Sequence, residues 1–190
     1  LSDQAGVPSD STIWLRNGGG KSSILSLFFA LLRPNLRDFL GSKADAKQRS
    51  LKDYILTNDR SVVAAEWTLD LQGLPLETAA DTMPRFLTGV FYEYAGGNRE
   101  SLRRLYFSAR VSDAVEETQL PTLPIDMDMP DGNRVRRTMM SFKQTWHGLR
   151  DAHPSLQFFC TENQSEWSER LQSAGLDPGL FGYQLVMNSR

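Results

Sequence analysis

The feature that most constrains this chain is "STIWLRNGGGKSS", Ser11 to Ser23, where a short apolar run meets consecutive glycines and then Lys21. Thr12 to Leu15 reads as a short buried strand, which the glycines break because they alone tolerate the backbone angles of so tight a turn. Behind it Ile24, Leu25, Leu27, Phe28, Leu31 and Leu32 recur at helical spacing. They are apolar almost all round, so this helix belongs inside the core. Pro34 stops it. A strand, a glycine turn and a buried helix, in that order, bring backbone amides and the positive end of a helix to one point.

Such a point suits an anion. The consensus phosphate loop is G-x-x-x-x-G-K-[ST], and Gly20-Lys21-Ser22 supplies its end. Leu15 stands where the first glycine would fall, a position that starts the turn and need not donate to a phosphate. The candidate nucleotide-binding residues are Asn17, Gly18, Gly19, Gly20, Lys21, Ser22 and Ser23. Lys21 is placed to reach the β- and γ-phosphates of ATP and is also a catalytic candidate, and the Ser22 hydroxyl is placed to coordinate Mg²⁺. The bland alternative is a glycine turn that merely joins strand to helix.

The rest of the chain decides what surrounds this unit. "GSKADAKQRS" reads as an exposed basic loop, and Ser50 with Asp53 fits a capping pair for a short helical turn through Tyr54. Three strand-like runs follow: "SVVAAEWTLDL", "RFLTGVFYEYA" and "LRRLYFSARV". The last two are joined by "GGNRE", a hairpin turn signal. That is an antiparallel meander, not the strand–helix alternation of a Rossmann sheet. Glu116 to Asn133 reads as a long connection with little regular structure. A helix is expected around Arg137 to Leu149, with Met140, Trp146 and Leu149 as its core contacts. "SLQFFC" reads as a short strand. "QSEWSERLQSAG" reads as a helix with Trp167, Leu171 and Ala174 on one face, ended by Gly175. "LDPGLFGYQLVMNSR" opens with Asp177 as N-cap and Pro178 at the first helical position. Trp14, Trp67 and Trp167 are expected in the core.

Composition narrows the function classes. With 190 residues and 40% hydrophobic content, the chain can bury one real core. A formal charge of −2 excludes a whole-surface polycation, so any nucleic-acid contact would have to be a local patch. The single Cys160 cannot form an intramolecular disulfide, and two histidines, His147 and His153, are too few for a metal site without carboxylates. No secretory signal is visible, and the longest apolar run, Ile24 to Leu32, falls far short of a membrane span. A cytoplasmic protein is expected, with no membrane partner. Leu1 in place of a methionine, so close before the glycine loop, leads us to expect an excerpt from something longer. The acidic string Asp126, Asp128, Asp131 does not fit a calcium loop, because Met127, Met129 and Pro130 break its pattern.

"RNGGGKSS" resembles the N-G-x-G-K-S loop of the SMC-, RecF- and MukB-like group of ABC-type ATPases. In those heads a basic loop, a short turn and a strand of alternating acidic and apolar residues follow the helix. "KQRSLKDYILTNDRSVVAAEWTLDL" has that layout, with Asp53-Tyr54-Ile55 at the turn and Glu66 in the strand. The similarity covers Thr12 to Leu71, and the remainder by layout only. It looks closest to the SMC-like proteins of bacterial chromosome partition and of Wadjet-type plasmid defence.

The resemblance implies an α/β fold, the ABC-type P-loop NTPase half-head, with a mixed sheet, an antiparallel meander and a central helix after the phosphate loop. Residues 1–190 would form the N-terminal lobe: 11–71 the phosphate loop, helix and first strands, 84–111 the antiparallel hairpin, 134–190 a helical part leading towards a coiled-coil arm. The acidic Walker B pair and the signature motif of such heads are not encoded here. ATP hydrolysis would therefore need the C-terminal lobe of the same head and a second head in a dimer. The implied partners are also DNA, through the parent protein, and kleisin-like subunits, and the implied location is the nucleoid. The glutamine loop, which coordinates Mg²⁺ and senses the γ-phosphate, is best matched by Gln184, with Gln144 and Gln157 as weaker alternatives. Arg49 lies where such heads place an arginine that approaches the phosphates, offsetting charge on the transferred group. Beside Lys43, Lys47 and Lys52 it also reads as a solvated loop cation. That cluster, or Arg134, Arg136 and Arg137, could instead meet DNA backbone. Two readings from other classes stay open: a complete small P-loop phosphotransferase of kinase type, and a non-catalytic interaction module with a vestigial loop.

Overall fold

The computed structural model describes residues 27–28, 30–32, 51–55, 59–68, 85–97, 101–111 and 123–176. Within them lie six strands: β1 (Ser61–Thr68), β2 (Arg85–Tyr94), β3 (Leu102–Val111), β4 (Asp126–Asp128), β5 (Arg134–Arg136) and β6 (Phe159–Thr161). Two α-helices, α1 (Met139–Ala152) and α2 (Gln164–Ser173), follow the meander. Residues 27, 28 and 30–32 are helical as well.

β2 explains the architecture. It is rich in aromatic and β-branched side chains and buried along nearly its whole length, which requires cover on both faces. It sits inside a four-stranded sheet of order β1-β2-β3-β6, antiparallel at every described pairing. The register runs from Ser61↔Tyr92 to Thr68↔Arg85 on one side of β2, and from Arg85↔Val111 to Tyr94↔Leu102 on the other. β6 joins β3 through Tyr106↔Thr161. The turn between β2 and β3 uses Gly96 at φ 62, a left-handed conformation that glycine adopts at no steric cost.

Because strand side chains alternate, the two faces carry different residues. Leu87 and Phe91 of β2 and Leu105, Phe107 and Ala109 of β3 face α1, where they meet Met139, Phe142 and Trp146, with Leu156 and Phe158 closing that core. Phe86, Val90, Tyr92 and Tyr94, with Tyr106, face the other way. They meet Ala30 and Leu31, the 3-10 turn Leu51–Tyr54 with Ile55, and Trp167 and Leu171 of α2. The described fold is therefore a three-layer α/β arrangement around an antiparallel sheet.

Caps fix both helices. The Thr138 hydroxyl accepts from Ser141 N at 3.1 Å, and the Asn163 side chain accepts from Ser165 N at 2.8 Å. Glu93 of β2 accepts from Met139 N and pairs with Arg60 at 2.8 Å, so a carboxylate tethers the positive end of α1 to the sheet. Gly175, at φ +81, ends α2 as its position implies.

Two expectations need correction. Met140 is not a core contact of α1, being 58% exposed; Met139 and Phe142 take that role, and Trp146 is buried as expected. The buried stripe starts one residue earlier than Met140 implies, running Met139, Phe142, Trp146, Leu149 at the 3- and 4-residue steps of a helix face. The connection Glu116 to Asn133 also holds more regular structure than expected, because β4 lies within it and pairs with β5. The strand and helices expected at Thr12–Leu15, before Leu27 and after Leu176 lie outside the described residues.

Candidate functional site

The loop residues Asn17, Gly18, Gly19, Gly20, Lys21, Ser22 and Ser23 lie outside the described residues, as do Arg49 and Gln184. What the structure places is the helical segment shortly behind the loop. Leu31 and Leu32 there are fully buried and Ala30 nearly so, in keeping with the apolar pattern of the sequence. The segment lies on the tyrosine-bearing face of the sheet, with the Phe28 ring 5.5 Å from that of Trp67 in β1. A buried hydrogen bond ties it down. Trp167 Nε1, on α2, donates to the Leu31 carbonyl at 3.1 Å. Helical spacing places Trp167 in the core but carries no sign of this partner, since the contact joins residues far apart in the chain.

Beneath this segment the sheet carries polar groups. Burial pushes the Tyr92 phenol well above the ordinary tyrosine range. It raises Tyr106 too, with the Arg104 guanidinium opposing the shift. Tyr106 stacks on Trp167 with ring centroids 5.5 Å apart. Arg170 of α2 covers the rim, donating to Ser108 Oγ at 3.2 Å and the Gln157 carbonyl at 3.1 Å and lying over the rings of Phe86 and Phe159. These contacts hold α2 on the sheet. They form no catalytic constellation.

Elsewhere the candidates separate. Gln144 is exposed on α1, and Gln157 is an exposed residue at φ 50 after a 3-10 turn. Arg134 and Arg136 pair with Asp126, each at 3.7 Å, and Arg136 also reaches Asp59 at 3.4 Å, so two of the three cations suggested for DNA are already matched by carboxylates. His147 has a neighbour that sequence reasoning did not provide: Cys160 Sγ lies 3.8 Å from its Nε2, because β6 returns beside α1. Burial pushes the thiol pKa up despite Lys143 and Arg150 nearby, so Cys160 packs as a small apolar residue rather than a thiolate. Among the described residues no group of three or more His, Cys, Asp or Glu could hold a metal ion.

No family model, no curated protein and no solved structure matches the chain. Among the described residues, no helix is long and apolar enough to cross a membrane.

Proposed function

We propose that the chain is the ATP-binding N-terminal half of an SMC-like, ABC-type ATPase head, binding ATP and Mg²⁺ through Asn17 to Ser23. The reading rests on one observation: a Gly-Gly-Gly-Lys-Ser run stands shortly before, in sequence, a segment that is helical at 27–28 and 30–32 and buried against a sheet. The burial of Leu31 and Leu32 and the Trp167 tie would hold that helix while its N-terminal end met a phosphate.

Under this reading Lys21 and Arg49 stabilise charge on the transferred phosphoryl group, and Ser22 and Gln184 hold Mg²⁺. Turnover requires the C-terminal lobe of the same head and a second head. The parent protein would act on DNA in chromosome organisation, repair or plasmid defence, in the cytoplasm at the nucleoid, with kleisin-like subunits as further partners.

Titration with a fluorescent ATP analogue in the presence of Mg²⁺ tests it. Lys21→Ala removes a charge-assisted contact to phosphate oxygens and should weaken binding by about 1.5–3 kcal/mol. Equal affinity in the two proteins would end the phosphate-loop reading.

A further inference from the structure

The β4–β5 hairpin has two unlike faces. Its cross-strand pairs are Asp126↔Arg136, Met127↔Val135 and Asp128↔Arg134. Asp126, Asp128, Arg134 and Arg136 therefore share one face, and Ile125, Met127, Met129, Val135 and Arg137 share the other. The charged face is closed upon itself by the Asp126 ion pairs. It is also clasped to the body: Arg136 Nη1 donates to the Arg60 carbonyl at 2.8 Å, and Arg60 Nη1 to the Arg136 carbonyl at 3.4 Å. A two-stranded hairpin is marginal alone, so this clasp matters.

The apolar face is left partly open, at Met129 and Val135. The exposed large hydrophobic residues among those described are Met129, Val135 and Met140, all in this hairpin and the first turn of α1. Arg137 sits on the same face with neutral side-chain partners only: its Nη1 donates to Ser141 Oγ at 3.2 Å and lies 3.8 Å from Met127 Sδ. Its Nε is buried with no hydrogen-bond partner. Arg134 and Arg136 have carboxylates, whereas Arg137 has none among the described residues. A half-buried guanidinium edged by Met127 lacks one thing, a planar anion that accepts from its remaining donors.

We propose that this face docks an acidic amphipathic protein segment. Arg137 pairs with a carboxylate of the segment, and Met127, Met129, Val135 and Met140 take its apolar side chains. The charge argument selects the acidic partner, and the flexible thioethers suit a surface that moulds to what it meets. The proposal goes beyond nucleotide binding and is independent of it.

The test is titration of the whole chain, labelled with ¹³C at its methionine methyls, with a short amphipathic peptide of Leu, Phe and Glu. A second peptide carries Lys in place of each Glu. The acidic peptide should shift Met127, Met129 and Met140 and leave the buried Met139 in place, and the basic one should shift none. Arg137→Gln should weaken binding about tenfold or more. Met140→Ser, at a position that is 58% exposed, should weaken it several-fold, while Arg134→Gln on the opposite face should not. No response to the acidic peptide, or equal affinity in Arg137→Gln, would overturn the proposal. So would shifts confined to Met83 or Met187. Self-association or anionic phosphatidylserine vesicles moving these methyls when the acidic peptide does not would overturn it in favour of a second copy or a membrane.

Discussion

The two faces of the central sheet each bury one tryptophan whose indole N–H donates to a backbone carbonyl, and there the likeness ends. On the α1 face Trp146 donates to Phe159 O at 2.9 Å, closing a contact between α1 and the strand that follows it. Around it Phe91, Phe107, Phe142 and Phe158 pack ring against ring, with centroid distances between 4.9 and 5.4 Å. On the opposite face Trp167 reaches back to Leu31, and tyrosine hydroxyls, Thr88 and Ser108 are buried among the apolar groups. One face is an aromatic core assembled from the stretch between β2 and β6. The other is laced with polar groups and needs the segment behind the glycine loop to complete it. The first secures the fold, and the second anchors the segment at 30–32, which follows the glycine run in sequence.

The largest test of that division is to remove each tryptophan. Trp146→Ala and Trp167→Ala should each cost about 3–5 kcal/mol, measured by chemical denaturation. Their native-state amide exchange should differ: Trp167→Ala should release the amides of 30–32, and Trp146→Ala should leave them protected relative to the rest. Equal deprotection of that segment in both variants would mean that the faces are not separable.

A second effect belongs to the tyrosine face alone. Tyr92 and Tyr106 hold their protons more tightly when folded, chiefly because burial disfavours the phenolate. Their stabilising contribution is complete below about pH 10, where unfolded tyrosine titrates. Above that the unfolded chain releases protons that the folded chain retains, so stability falls by as much as about 1.4 kcal/mol per pH unit for each residue. Denaturation midpoints on either side of this pH should show the fall. The tyrosinate absorbance of these two residues should appear only with unfolding.

Gly89 marks the aromatic face in a different way. A Cβ there would overlap the ring of Phe107, which lies directly over the glycine. Gly89→Ala should cost about 1–3 kcal/mol by overpacking. It should disturb the α1 face and leave the alkaline transition where it was. A neutral result would mean that Phe107 has room to move, and that the core is looser than its ring contacts imply.

Much of this was legible in the sequence where apolar spacing is strong. β1, β2 and β3, the glycine turn after Tyr94, the end of α2 at Gly175 and the burial of Trp167 all follow from periodicity and turn chemistry, while Trp67, also expected in the core, is only partly buried against it. β4 was not, because a strand alternating Asp with Met beside a proline looks like a loop until Arg134 and Arg136 are placed opposite its acids. The phase of α1 was misread at Met140 because two adjacent methionines offer the same apolar character, and only the sheet decides which one faces it. The proximity of Cys160 to His147 and of Trp167 to Leu31 depends on chain return, which local pattern does not encode. The glycine loop is the reverse case: its residue types match the phosphate-loop pattern in sequence, and its geometry lies outside the described residues.

The smallest expected effect has the opposite sign and bears on why the polar face is polar at all. The Tyr106 hydroxyl is buried without a well-formed hydrogen bond, although the Arg104 guanidinium lies near enough to draw its pKa partway back. An unpaired buried hydroxyl has already lost its water and gained little in exchange. Tyr106→Phe keeps the stacking on Trp167 and should change stability by less than about 1 kcal/mol, in the stabilising direction. It should also remove one tyrosine's share of the alkaline loss. If Tyr106→Phe instead destabilises the chain by more than that, Arg104 is a true partner of the hydroxyl, and the polar lacing of this face is structural. If it stabilises, the hydroxyl is retained at a cost, on the face that carries the helix behind the candidate phosphate loop.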